Sequence, residues 1–299
     1  MEAAGLGAGP QKRSAGRRLA DLFHGRPWLQ VGALLALPIA WLVIGYLGSL
    51  AGMLISAFWS VDALSGELIK GFTFDNFKEL TQQSVYKDVA VRTIGVAAAA
   101  TVTDALIAFP IAFYMAKIAS PRVKGLLVVA VLMPLWSFYL VKVYAWQTML
   151  SSDGVINWAL DPFGVKGPGY GATAVWLVES YLWLPYMILP IYAGLERIPD
   201  TLLSASEDLG AKPFRTFRRV ILPLAFPAVV AGSIFTFSLT LGDYITPSLV
   251  SPNTQFIGNV VFTQHTNNLP LASAFATVPI VVMVIYLLIA RRLGAFEHL

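Results

Sequence analysis

Six stretches of this chain, residues 29–57, 93–116, 126–149, 172–195, 220–244 and 271–290, carry at most one charged residue each. About 20 residues of helix, at ~1.5 Å per residue, cross the ~30 Å hydrocarbon core of a bilayer. A segment in lipid must also satisfy its own backbone hydrogen bonds, so each stretch is expected to be a helix. The expected fold class is therefore an all-α membrane protein with six spans. The first stretch is about twice the length of a signal-peptide h-region and is followed by further spans, so it is read as a span and not as a cleavable signal. With 57% of the 299 residues apolar, little chain is left for a soluble domain.

Lys and Arg are unevenly spread between these stretches. The N-terminal tail, residues 117–125, residues 196–219 and the C-terminal tail hold fifteen; residues 59–92, 150–170 and 245–270 hold five. The basic side is expected to be cytoplasmic, which places both termini inside (N-in/C-in) and makes the sequence pI of about 9.2 a matter of orientation and not of nucleic-acid binding. Residues 1–28, small, polar and cationic, are expected to form a disordered cytoplasmic tail. Residues 29–299 then make up the transmembrane domain.

Enzymatic chemistry finds few candidates. There is no cysteine, which excludes disulfides and thiolate ligands. His24, His265 and His298 lie in tails or an outer loop, and no zinc, nucleophile-elbow or phosphate-loop motif occurs. No cofactor or metal site is expected, and the chain cannot hydrolyse ATP alone. An intramembrane hydrolase would need a base at depth, and no span holds a histidine. A self-contained secondary transporter would show interrupted spans in matching halves, and no clear inverted repeat is seen.

The longest polar interruption is SASEDLGAKPFRTFRRVILP, residues 204–223. Asp200 is a candidate N-cap; Leu202, Ala205 and Leu209 share one helical face; Gly210 stands where a left-handed residue would end the helix. A helix of about nine residues, ~14 Å long, cannot span a membrane, so its apolar face must rest on something. Pro213 can open a second helix that places Phe214, Phe217 and Ile221 on one face and runs on into the fifth span. A short surface helix joined rigidly to a spanning helix is a lever, although the same pattern also fits a plain membrane-surface helix.

This stretch resembles the cytoplasmic loop of the inner-membrane permeases of binding-protein-dependent ABC importers, whose pattern is E-A-A, three residues, G, nine residues, I-x-L-P. Ala205, Gly210, Leu222 and Pro223 match in register, Ser206 takes the second alanine and Val220 the isoleucine. Ser204 occupies the glutamate position, and Glu207 is the nearby acid. The resemblance implies a type I ABC importer permease fold in a bacterial inner membrane. Its coupling helix would lie in the loop 196–219, with Ser204, Ala205, Glu207, Gly210, Phe214, Arg215, Leu222 and Pro223 as the ATPase-coupling residues. The segments PLWSFYLVKVYAWQTML (134–150), YLWLPYMILPIYAGLERIP (181–199) and LGDYITPSLV (241–250) resemble the B-type permease of spermidine/putrescine importers. That resemblance implies two ATP-binding subunits, a second C-type permease, an extracytoplasmic binding protein and alternating access. Related permeases carry putrescine, spermidine, opines and other amino compounds.

Ionisable groups at membrane depth are costly and mark pathways or pairs. Asp104 falls near mid-membrane, and Lys142, Glu179 and Asp243 fall in the outer half. One reading pairs Lys142 with Glu179 or Asp243 to fix helix packing. The other gives a spare carboxylate to a translocated polycation, with Trp136, Tyr144, Trp146 or Tyr244 offering cation–π contacts.

Overall fold

The computed structural model describes residues 27–62 and 65–292. His24, His298 and all but the last two residues of the expected N-terminal tail lie outside them; those two open the first helix, with Pro27 at its first position, where its missing N–H costs nothing. Helix α1 covers residues 27–56 as Pro27–Trp41, a π-helical turn Leu42–Leu47 and Gly48–Ser56. Its segment Leu34–Ser56, 23 residues, is apolar and long enough to cross a bilayer. Contacts divide the chain into one compact unit ending at Ile55 and another beginning at Ser56.

In the second unit a small antiparallel hairpin, β1 (Ser60–Val61) and β2 (Leu68–Ile69), pairs Ser60 with Ile69 and Val61 with Leu68. Two residues per strand are too few to show the alternation of a strand in the sequence. Then come α2 (Asp75–Gln82), α3 (Ser84–Ile118, closing in a π turn Tyr114–Ile118), α4 (Pro121–Trp136), α5 (Tyr139–Leu150) and α6 (Val155–Leu160). They are followed by α7 (Ala172–Glu196), α8 (Asp200–Asp208) and α9 (Pro213–Gly242, with a π turn Phe217–Ile221). The last three are α10 (Ile245–Val250), α11 (Ile257–Asn267) and α12 (Leu269–Arg292). Helices α1, α3, α7, α9 and α12 are each long and apolar enough to span, and α4 with α5 makes the sixth span if the two are counted together.

That third span corrects the expectation of one continuous helix over 126–149: α4 and α5 meet at 90°. Pro134, inside the last turn of α4, cannot donate to the preceding turn, and Ser137 and Phe138 are both extended, with ψ of 142° and 132°. The Pro134 carbonyl left at the helix end accepts from Ser137 Oγ at 2.9 Å and from Lys142 Nζ at 3.1 Å. Lys142 therefore caps a helix C-terminus, where a cation is favoured.

The bundle centres on α7, which packs along α3 and α9, themselves in contact. Helices come close in lipid where side chains are small, and α3 presents Ala97, Ala100, Ala108 and Ala112, all fully buried. On α7 and α9 the fit is tighter still. A Cβ on Gly194 would collide with the Cβ of Ala228, and one on Gly232 would come within 2.8 Å of Met187 Sδ. The largest buried cluster joins α3, α7 and the start of α9 through Met115, Met187, Ile191, Leu195, Ile198 and Ile221.

Candidate functional site

Helix α8 ends as the sequence suggests. Gly210 has φ +75°, its N–H donates to the Glu207 carbonyl at 2.8 Å, and the Ala211 N–H donates to Ser206 at 3.0 Å. This pair of bonds is the Schellman closure, and the left-handed residue it needs is strained for any side chain with a Cβ. The helix begins at Asp200 with Pro199 in the N-cap position, so the carboxylate serves elsewhere: it accepts from Lys117 Nζ at 2.8 Å, which also donates to the Ile198 carbonyl at 2.6 Å. At its other end, Ser206 Oγ shares a 2.9 Å hydrogen bond with Thr216 Oγ1 at the start of α9. The serine that replaces an alanine of the motif thus ties the short helix to the long one.

The apolar face of α8 does not rest on the bundle. Leu203 packs against the core, while Leu202, Ala205 and Leu209 are exposed, Leu209 by 88%. Beyond the turn, Phe217 packs edge-on against Phe109 and Ile221 is buried, but Phe214 is 73% exposed. Glu207, Arg215, Leu222 and Pro223 are exposed too. Ser204 turns its hydroxyl back to the Asp200 carbonyl at 3.2 Å, offering no charge where the family motif has a glutamate. The result is a rigidly mounted, partly apolar surface around Leu209 and Phe214 that is exposed among the described residues.

The second candidate lies where two helix breaks meet. Helix α9 ends at Gly242, and Asp243, one residue before the N-cap Tyr244, receives the first N–H groups of α10: Oδ1 accepts from the Ile245 N–H at 2.8 Å and the Thr246 N–H at 3.4 Å. Oδ2 accepts from Thr246 Oγ1 at 2.6 Å and from the hydroxyl of Tyr139, the first residue of α5. The order Gly-Asp-Tyr-Ile-Thr-Pro is thus a helix stop followed by a capped helix start. The Tyr139 ring stacks on Trp183 at 6.0 Å, and the Trp183 indole N–H donates to Glu179 Oε2. Glu179 is fully buried, lies within reach of Asp243 and Thr240, and its Oε1 has no hydrogen-bond partner. Tyr139, Trp183, Ser238, Leu239, Gly242, Asp243 and Tyr244 line a cavity of about 360 Å³.

The ion pair expected between Lys142 and one of these acids is not formed. Among the described residues the ion pairs are Lys78–Asp75, Lys117–Asp200 and Lys124–Glu196, and the Lys142 ammonium sits on Pro134 instead. Asp104 stands apart from Glu179 and Asp243, fully buried on α3 with neither carboxyl oxygen hydrogen-bonded. Trp136 (87% exposed) and Tyr144 point away from the bundle core, and Trp146 packs on Tyr181. Tyr139, Trp183 and Thr246 were missed in the sequence. The Asp-x-x-Thr-Pro spacing could have revealed Thr246, whereas nothing local could have brought Tyr139 to Asp243 across 104 positions.

A bundle of apolar helices, one of its spans broken, with a buried carboxyl group beside an aromatic-lined cavity fits a class, the polytopic permeases. The family is defined by residues 91–295, which match the binding-protein-dependent transport system inner membrane component, and the chain belongs to that family as a multi-pass inner-membrane transport subunit. It is 42% identical over 94% of its length to the inner membrane ABC transporter permease protein YdcU of Escherichia coli K12, covering 95% of that protein. It is 31% identical over 74% of its length to the spermidine/putrescine transport system permease protein PotB of Haemophilus influenzae, covering 79% of it. Its fold is that of the type I ABC importer permeases. One such neighbour is a chain of the bacterial alginate ABC transporter in complex with an alginate pentasaccharide-bound periplasmic protein, at a TM-score of 0.72 with 18% identity over 93% of this chain and 97% of that one.

Proposed function

We infer that this chain is one permease subunit of an ATP-driven importer of polyamines or related cationic amino compounds. Separate ATP-binding subunits, two per complex, hydrolyse the nucleotide; a C-type permease completes a heterodimer; an extracytoplasmic binding protein delivers the substrate. Both termini lie in the cytoplasm, so that α8 faces the ATPase.

The observation that carries this reading is the mounting of α8. A nine-residue helix, with Leu209 bare at its end and Phe214 bare beyond the turn, is fixed to α3 by Lys117–Asp200 and to α9 by Ser206–Thr216. Displacement of such a helix by a closing ATPase moves α9 as one body, which is alternating access driven from outside the membrane domain. Ala205, Glu207, Gly210, Arg215, Leu222 and Pro223 flank that contact. The substrate class follows from the named activities of the spermidine/putrescine relatives and from the carboxyl groups of Glu179 and Asp243 beside Tyr244, which we place on the translocation route.

Reconstitution into vesicles tests the reading. Uptake of putrescine should require the ATPase subunits, ATP on their side and the binding protein. Uptake driven by an ion gradient with the ATPase removed would mean a secondary transporter and overturn it.

A further inference from the structure

We propose that the cavity between the two helix breaks is an ammonium-binding subsite, in which Asp243 takes one cationic end of the substrate between the rings of Tyr139, Trp183 and Tyr244 and Glu179 supplies a second carboxyl group behind them. The inference rests on the reading that the chain belongs to an importer of amino compounds, and it says where on this chain the cation is held.

Three independent features converge there. The first is charge: the Glu179 and Asp243 carboxyl groups lie within reach of one another, yet among the described residues no Lys, Arg or His nitrogen stands within ion-pair distance of either. Glu179 is fully buried and Asp243 half-buried, so one carboxyl group can share a proton with the other, and a ligand ammonium meets the charge that remains on Asp243. The second is unmet bonding behind the cavity wall: Glu179 Oε1, on a fully buried residue whose other carboxyl oxygen accepts from the cavity-lining Trp183, has no hydrogen-bond partner. An ammonium brings three donors. The third is shape: an open cavity of about 360 Å³ is lined by Asp243 and by the Tyr139, Trp183 and Tyr244 side chains, whose faces attract a cation and whose apolar area suits the methylenes that follow it.

Occupancy is coupled to the fold at this point. Asp243 already accepts four hydrogen bonds, two from backbone N–H groups of α10, one from Thr246 and one from Tyr139. Of these donors only Tyr139 belongs to another helix. An ammonium arriving at Oδ2 takes the place of the Tyr139 hydroxyl, while α5 stays tied to α10 through Tyr139–Thr246 and Gln147–Leu249. Tyr139 is then a positioning residue as well as a wall, because its hydroxyl competes with the cation for Oδ2.

The test uses the complete complex, with its ATPase, partner permease and binding protein, in vesicles. An aliphatic primary amine bearing a diazirine is photolysed with the complex, and the labelled peptides are mapped. Label should appear on the segments containing Tyr139, Trp183 or Tyr244; excess putrescine should suppress it and sorbitol should not. Asp243→Asn should cut this label about tenfold, the loss expected for about 1.4 kcal/mol of binding. Trp183→Leu, which leaves the helix cap intact, should do the same if Asp243→Asn proves poorly folded. Tyr139→Phe should raise labelling, since the competing hydroxyl is gone, whereas a purely structural hydrogen bond would lower it. Label confined to other segments, or undiminished in both Asp243→Asn and Trp183→Leu, overturns the subsite. Failure of the wild-type complex to take up any diamine while the amine still labels these residues would instead sink the importer reading and leave the subsite standing.

Discussion

A lysine inside a membrane span needs acceptors for its donors, and Lys142 finds one in the Pro134 carbonyl 3.1 Å away, beside the Ser137 hydroxyl. Its contribution is that of a charged hydrogen bond at a helix end, about 1–3 kcal/mol. Lys142→Met should lower stability by about that much, less than the ~3–5 kcal/mol of a broken buried ion pair, and its coupling to Asp243→Asn or Glu179→Gln should stay below ~0.5 kcal/mol. Denaturation of the four proteins of each cycle in detergent measures this; coupling above ~1 kcal/mol would restore the ion pair. Gly210 is a second residue whose backbone decides its identity. At φ +75° a β-branched side chain is strained, while no neighbouring atom lies within 4 Å of a Cβ placed there. Gly210→Val should therefore leave the protein inserted and assembled, at a cost of about 1–3 kcal/mol, and misdirect α8. Binding-protein-stimulated ATP hydrolysis and uptake should then fall together. Normal stimulation would reduce α8 to a surface helix.

Among elements, α7 and α9 show what close approach demands. A Cβ at Gly194 meets the Cβ of Ala228, and one at Gly232 meets both the Sδ and, at 3.1 Å, the Cα of Met187, so each glycine leaves no room for a side chain of its own. Gly194→Val should force α7 and α9 apart and cost about 1–3 kcal/mol, read as a lower midpoint in thermal unfolding. An unchanged midpoint would show that the contact can relax. In the proposed coupling the same helices take the load from α8, because Ser206 joins it to Thr216 at the foot of α9. Ser206→Ala should cost only about 1 kcal/mol of stability yet loosen transmission, so that ATP hydrolysis per molecule imported rises. An unchanged ratio would mean that packing of Leu203 and Phe217 is sufficient by itself.

For the whole molecule, orientation is the property with the widest consequences. Cysteines placed at Ser152 and Asn267 should react with an impermeant thiol reagent from outside, and one at Ser206 should not; reaction of the last would invert both the topology and the coupling assignment. The distribution of apolar runs and of Lys and Arg is enough to derive this expectation, because lipid acts on each segment independently of its neighbours. Local chemistry likewise made Gly210 legible as a helix stop and residues 213–242 as one continuous element, since a left-handed glycine and an N1 proline work through the adjacent backbone. Other features were decided only in three dimensions. Pro134 marks a candidate bend in the third apolar run, but its 90° size at Ser137–Phe138 is set by packing, and the exposure of Leu202 and Leu209 depends on which face of α8 the bundle leaves free. The meeting of Tyr139, Glu179, Trp183 and Asp243 depends on where two broken helices end relative to α7. Residues from three distant segments can meet only after the helices have packed, and the helix spacing that allows it is set by glycines and alanines whose partners no local pattern names.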